Sequence, residues 1–122
     1  MRFLGLLDRD KVRETMWKAN AFVLPSYFET FGVVLIEAMA TGLPVISTKC
    51  GGPEDFITSD VGYLVSPGDI EGLAKAMINL LDNYSSFDSI EISKIIRNKF
   101  SYEAVASSLS NIYNKILIGG YK

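Results

Sequence analysis

Three short apolar runs, separated by stretches of helical periodicity, constrain this chain more than any other feature. Ala21 to Leu24 reads Ala-Phe-Val-Leu, Pro44 to Thr48 reads Pro-Val-Ile-Ser-Thr, and Gly62 to Val65 reads Gly-Tyr-Leu-Val. Ala21 to Leu24 is continuously apolar, as suits a strand buried on both faces of a parallel sheet, and the other two segments read as further strands. Around them lie helical segments. Asp8 to Asn20 carries Val12, Met16 and Ala19 on one face, and a second helix opens at Phe31 or Gly32 and runs to about Thr41, with Gly42 placed as its C-terminal cap. Asp69 suits an N-cap, and Ile70, Leu73, Ala74, Met77, Leu80 and Leu81 form an apolar stripe behind it. Phe3 to Leu6 reads as a further short strand and Pro53 to Ile57 as one helical turn. Tyr84 to Ser89 reads as a polar loop and Ile90 to Phe100 as a helix. Ser101 then caps a last helix with Val105, Leu109, Ile112, Tyr113 and Ile116 on one face.

Strands alternating with helices predict an α/β chain: a Rossmann-like parallel sheet with flanking helices. Its 122 residues suit one domain, 1–122, and no repeat or linker divides it. Right-handed crossovers place strand ends and helix starts on one edge of the sheet, where ligands of this architecture bind. The loops Pro25 to Thr30, Lys49 to Glu54 and Ser66 to Asp69 are therefore expected to converge there.

Composition removes several classes of function. A net charge of −2 offers no basic stripe for phosphate neutralisation, so nucleic acid is not an expected partner. The absence of His removes imidazole bases and most transition-metal sites, and neither metal nor cofactor is expected. No apolar run reaches membrane-spanning length, and no signal-peptide pattern opens the chain. Cys50 is the single cysteine, which suits a reducing, cytoplasmic compartment. Met16, Trp17 and the Ile70 to Leu81 stripe read as core. Arg97 and Lys99 read as a solvated face, and Gly51-Gly52-Pro53-Glu54 as turn chemistry.

The run Glu29-Thr-Phe-Gly-Val-Val-Leu-Ile-Glu37 carries the chemistry. A helix opening near Phe31 to Val34 presents unpaired N–H groups and a partial positive charge, which welcome a diphosphate. Gly32 lets that backbone approach a ligand closely. Glu29 precedes this anion site and Glu37 follows it within an otherwise apolar segment. Eight helical residues span roughly 12 Å, less if the first are loop. Carboxylates accept hydrogen bonds from vicinal hydroxyls, so one Glu for each of two sugars flanking a diphosphate is a coherent assignment. The structural alternatives are a loop Glu29 drawn to the helix dipole and a Glu37 that caps a neighbouring loop.

Phe22-Val-Leu-Pro-Ser26, Glu29-Thr-Phe-Gly32, Glu37-Ala-Met-Ala-Thr-Gly-Leu-Pro-Val45, Gly51-Gly-Pro-Glu54 and Gly62-Tyr-Leu-Val65 follow one another in this chain. In that order they resemble the C-terminal, donor-binding domain of retaining GT-B-fold glycosyltransferases, the group 1 family with an E-x7-E motif. The resemblance runs from about Phe3 to Ile116. It implies a partial GT-B C-terminal domain that binds a nucleotide-diphosphate sugar. Glu29 would contact the donor sugar near the reacting carbon, as the catalytic position. Thr30, Phe31, Gly32 and Val33 would contribute to donor binding, with backbone amides from Phe31 to Val33 on the sugar and distal phosphate. Glu37 would bind the ribose hydroxyls. The chemistry implied is transfer to a hydroxyl acceptor with retention, usually without metal.

The chain departs from that pattern. It lacks the acceptor-binding N-terminal domain and the strand, helix and strand that open the donor domain, with their diphosphate-binding Arg and Lys. It resembles the last two-thirds of a donor domain, from a truncated reading frame or a cloned fragment. The isolated chain is therefore expected to be inactive. The alternative is a non-catalytic nucleotide-sugar-binding or self-associating remnant. An exposed sheet edge or apolar face is expected to drive homo-oligomers. Peripheral attachment at the inner face of a membrane follows from family analogy alone. A dinucleotide-dependent oxidoreductase is disfavoured, because no G-x-G-x-x-G follows a strand.

Overall fold

The computed structural model describes residues 1–119. Asp8 opens helix α1 (Arg9–Lys18) by accepting a 2.9 Å hydrogen bond from the Lys11 amide. Strand β1 (Phe22–Leu24) follows, then helix α2 (Val33–Ala40), strand β2 (Val45–Thr48) and strand β3 (Gly62–Val65). Helix α3 (Ile70–Asp82) starts at Asp69, whose carboxylate accepts from the Gly72 amide at 2.8 Å. Helices α4 (Ser89–Phe100) and α5 (Tyr102–Gly119) complete the described chain, with single 3-10 turns at Gly52–Asp55 and Tyr84–Ser86.

The three strands form one parallel sheet in the order β1-β2-β3. Phe22 lies beside Val45 and Val45 beside Gly62. Central β2 is buried along its whole length, polar Ser47 and Thr48 included, whereas β1, expected to be buried on both faces, and most of β3 stay half-buried because they are the edges of a three-stranded sheet. The side chains of β2 alternate between two cores. Val45 joins Leu35, Ala38, Met39, Ile92 and Ile96 on the face covered by α2 and α4, while Ile46 joins Ala76 and Leu80 beneath α3. The buried hydroxyls of Ser47 and Thr48 are satisfied across the sheet by the carbonyls of Leu24 and Ser26. These bonds fix the loop leaving β1 against the end of β2.

Three readings of the sequence need correction. Phe3 to Leu6 is not a strand; Phe3 and Leu6 are 86% and 103% exposed. A strand is stable only within a ladder, and this segment pairs with no edge of the sheet. Trp17 is not core: only Met16 of that pair is buried, and Trp17 lies 63% exposed with the Arg13 guanidinium over its ring. The α3 stripe is only partly core. Leu80 is buried and Leu73 half-buried, whereas Ile70, Met77 and Leu81 stay exposed because a three-stranded sheet offers α3 a narrow seat.

Candidate functional site

The expected convergence of loops at one sheet edge is observed. The segment after β1 and the segment after β2 run side by side: the Glu29 amide donates to the Cys50 carbonyl at 3.3 Å and the Gly52 amide donates to the Glu29 carbonyl at 2.9 Å. The third loop closes a small concavity of about 130 Å³ in which Pro25 and Tyr27 meet Ser66, Gly68 and Asp69.

Gly51-Gly52 is more than a turn. Gly51 has φ +122°, a conformation open to glycine. A Cβ on Gly52 would fall 2.5 Å from Phe31 Cα and 2.7 Å from Thr30 O. The backbone of Thr30 and Phe31 is therefore laid directly on this glycine. The Glu54 carboxylate steadies the same turn by accepting from the Gly51 amide at 2.7 Å. Phe31 also packs edge-on against Phe100 at 5.5 Å between ring centroids, and at a tilt against Phe56 at 6.3 Å. Glycines at 51 and 52 are visible in the sequence, but their contact with residues 30 and 31 is not. Phe100 is farther still along the chain, and no local pattern announces it.

Helix α2 opens at Gly32, which adopts φ +80°. The Gly32 carbonyl accepts from the amides of Leu35 and Ile36. Among the described residues the amides of Val33 and Val34 have no hydrogen-bond partner. With Val33 58% exposed, the positive end of the helix dipole opens toward solvent. Such an end is an anion-binding feature.

Glu29 and Glu37 sit differently about this helix start. Glu29 is half-buried, and its Oε1 accepts from the Gly32 amide at 3.3 Å. The structural reading of Glu29, a carboxylate drawn to the helix start, thus describes its geometry here. Glu37 is exposed on α2, makes no ion pair among the described residues, and caps no loop. Burial therefore places no demand on it. It lines a groove of about 510 Å³ with Leu7, Arg9, Arg13 and Trp17 from the α1 side and Arg97 from α4. Neither acid turns into the packed interior, but Glu29 does not line that groove. Arg97 lines this groove yet stays exposed, as does Lys99, whose Nζ donates to the Asp55 carbonyl at 2.8 Å, so both lie on the solvated face expected of them. No cluster of metal-binding side chains occurs among the described residues.

The family model for glycosyl transferases group 1 matches residues 1–104. The chain belongs to the glycosyl transferases group 1 family. Glycogen synthase of Mycobacterium tuberculosis is 32% identical over 115 residues, covering 92% of this group 1 chain and 28% of the relative. Sucrose-phosphate synthase from Thermosynechococcus elongatus superposes with a TM-score of 0.82 at 32% identity, over 98% of the chain and 31% of that structure. Anabaena HepE, solved in complex with UDP, gives a TM-score of 0.67 at 25% identity, over 80% of the chain and 29% of that structure. These structural neighbours are GT-B glycosyltransferases, which agrees with the α/β fold expected from the strand and helix order. This group 1 chain spans under one third of the length of each of these relatives. No helix among the described residues is long and apolar enough to cross a membrane.

Proposed function

We propose that this chain is the nucleotide-sugar-binding part of a retaining glycosyltransferase. The observation that carries this reading is the open start of α2, where the Val33 and Val34 amides lack partners, followed one turn later by an exposed and unpaired Glu37. The donor diphosphate lies against the amides of Gly32 to Val34, where dipole and N–H groups counter its charge. The same groups stabilise the additional charge that develops on the diphosphate as the bond to the sugar breaks. A carboxylate beside a diphosphate is repelled by it, so each Glu turns to hydroxyls. Glu37 takes the two ribose hydroxyls, with the nucleoside in the groove beside Leu7 and Arg9. Glu29 exchanges its long bond to Gly32 for hydroxyls of the donor hexose near the reacting carbon. Thr30 and Phe31 supply the connecting backbone, held in place by Gly52 and the Phe56–Phe100 pair. HepE, with UDP bound, supports a nucleoside diphosphate as the ligand class.

On this reading the 122-residue chain does not itself transfer sugar. Transfer needs an acceptor hydroxyl held against the donor carbon, and rate depends steeply on that positioning. The relatives extend well beyond the matched region, consistent with the acceptor being bound elsewhere in them. The test is calorimetric titration of UDP-, ADP- and GDP-glucose into the chain and into Glu37→Ala, with a parallel transfer assay. One donor is expected to saturate the chain, Glu37→Ala is expected to bind it at least tenfold more weakly, and no transfer is expected. Equal binding by both proteins removes Glu37 from the site, and turnover at the rate of a full-length relative ends the proposal of inactivity.

A further inference from the structure

The three loops that converge at the sheet edge, 25–30, 49–54 and 66–69, carry three carboxylates, Glu29, Glu54 and Asp69, and a single cation, Lys49. Each carboxylate is engaged by a nearby amide: Glu29 accepts from Gly32 at 3.3 Å, Glu54 from Gly51 at 2.7 Å and Asp69 from Gly72 at 2.8 Å. Lys49 is exposed, and among the described residues its ammonium has neither an ion pair nor a hydrogen bond. Its backbone, by contrast, is fixed. The pairing of β2 with β3 continues past Thr48, where the Lys49 amide donates to the Val65 carbonyl at 2.8 Å. One residue on, the Cys50 carbonyl accepts from the Glu29 amide. Alternation along the strand sets the side-chain direction. Phe22, Leu24, Val45 and Leu64 belong to the core beneath α2, and Val23, Ile46, Tyr63 and Val65 to the core beneath α3. Ser47 lies beside Leu64 and Thr48 beside Val65, so Lys49 leaves the strand with Val45 and Ser47, on the α2 side.

We propose that Lys49 Nζ binds the distal phosphate of a nucleoside diphosphate laid against the start of α2. The inference rests on the donor site described above and adds the cation which that site needs. A diphosphate placed there meets repulsion from Glu29 and Glu54. The helix start offsets only about half an elementary charge. Lysine is a compact point charge on a flexible four-carbon stem, suited to meeting a phosphate at the mouth of a site. Lys49 adjoins the Glu29 contact rather than Glu37, which assigns it to the phosphate farther from the ribose.

Calorimetric titration of UDP, ADP and GDP, each beside its monophosphate, into the unmodified chain, Lys49→Ala and Lys49→Arg tests this. For the diphosphate that the unmodified chain binds, Lys49→Ala should weaken binding about five- to tenfold and Lys49→Arg less than about twofold, as loss and retention of a charge-assisted contact require. The monophosphate lacks the distal phosphate, so its affinity should change less than about twofold in either variant. Diphosphate affinity should also fall less steeply with added salt in Lys49→Ala, because one screened charge pair is gone. Circular dichroism and Tm should be unchanged, since Lys49 is exposed. An unchanged diphosphate affinity in Lys49→Ala overturns the inference and leaves the reading of the α2 start intact. Equal losses for diphosphate and monophosphate overturn it too, because Lys49 then acts through the general field and not at the distal phosphate. A chain that binds none of the three diphosphates overturns the reading of the α2 start, and the inference with it.

Discussion

Replacing Gly52 with alanine tests how the site loop is held. The added Cβ would lie 2.5 Å from Phe31 Cα, 2.7 Å from Phe31 N and 2.7 Å from Thr30 O. Carbon atoms rest at about 3.5–4.0 Å, so one backbone must retreat by about 1 Å. All three opposing atoms are main chain, so no rotamer change relieves the overlap. Overpacking of this kind costs about 1–3 kcal/mol. Reduced freedom of the unfolded chain returns at most about 1 kcal/mol. Net destabilisation of about 1–2 kcal/mol corresponds to a fall in Tm of roughly 4–10 °C for a chain of this size. Thermal unfolding followed by circular dichroism measures it. Amide shifts in a ¹H–¹⁵N spectrum should move most at Thr30 to Val34, the segment displaced. An unchanged or raised Tm, with those amides unmoved, would refute the claim that Gly52 seats the loop.

Gly62→Ala should be worse, because its Cβ falls onto the Val45 carbonyl of the neighbouring strand; urea unfolding should show a larger loss than for Gly52→Ala. Leu35→Ala removes a fully buried side chain from the larger core and should lower the unfolding free energy by about 2–5 kcal/mol, read from the shift in urea midpoint. Asp69→Ala removes the acceptor for the Gly72 amide and should cost about 1 kcal/mol, with local loss of amide protection at Ile70 to Leu73 in hydrogen exchange.

The strands were legible as short apolar segments between helical ones, although only β2 is buried on both faces and the edge strands β1 and β3 are largely half-buried. Val45-Ile46 and the short run from Phe22 to Leu24 admit few other readings. Helix limits were legible where side chains cap them, as at Asp8, Asp69 and Ser101, whose hydroxyl accepts from the Ala104 amide. Phe3 to Leu6 misled because strand propensity says nothing of whether a pairing edge is present. Trp17 misled because periodicity identifies an apolar residue without saying what covers it. The site divides along the same line. Glu29, Gly32 and Glu37 were visible through their local relation to one helix start. Gly52, Phe56 and Phe100 hold that start from segments remote in the chain, and Arg97 reaches the Glu37 groove from α4. Contacts of that range are fixed by topology and leave no local pattern.

The central claim is that the open start of α2 and the groove beyond it receive a nucleoside diphosphate. Titration of UDP, ADP and GDP into ¹⁵N-labelled chain tests it most directly. At least one should give saturable amide shifts centred on Gly32, Val33 and Val34 and extending to Glu37 and the facing turn of α1. No shift at millimolar nucleotide, or shifts centred on α4 and α5 instead, would contradict it.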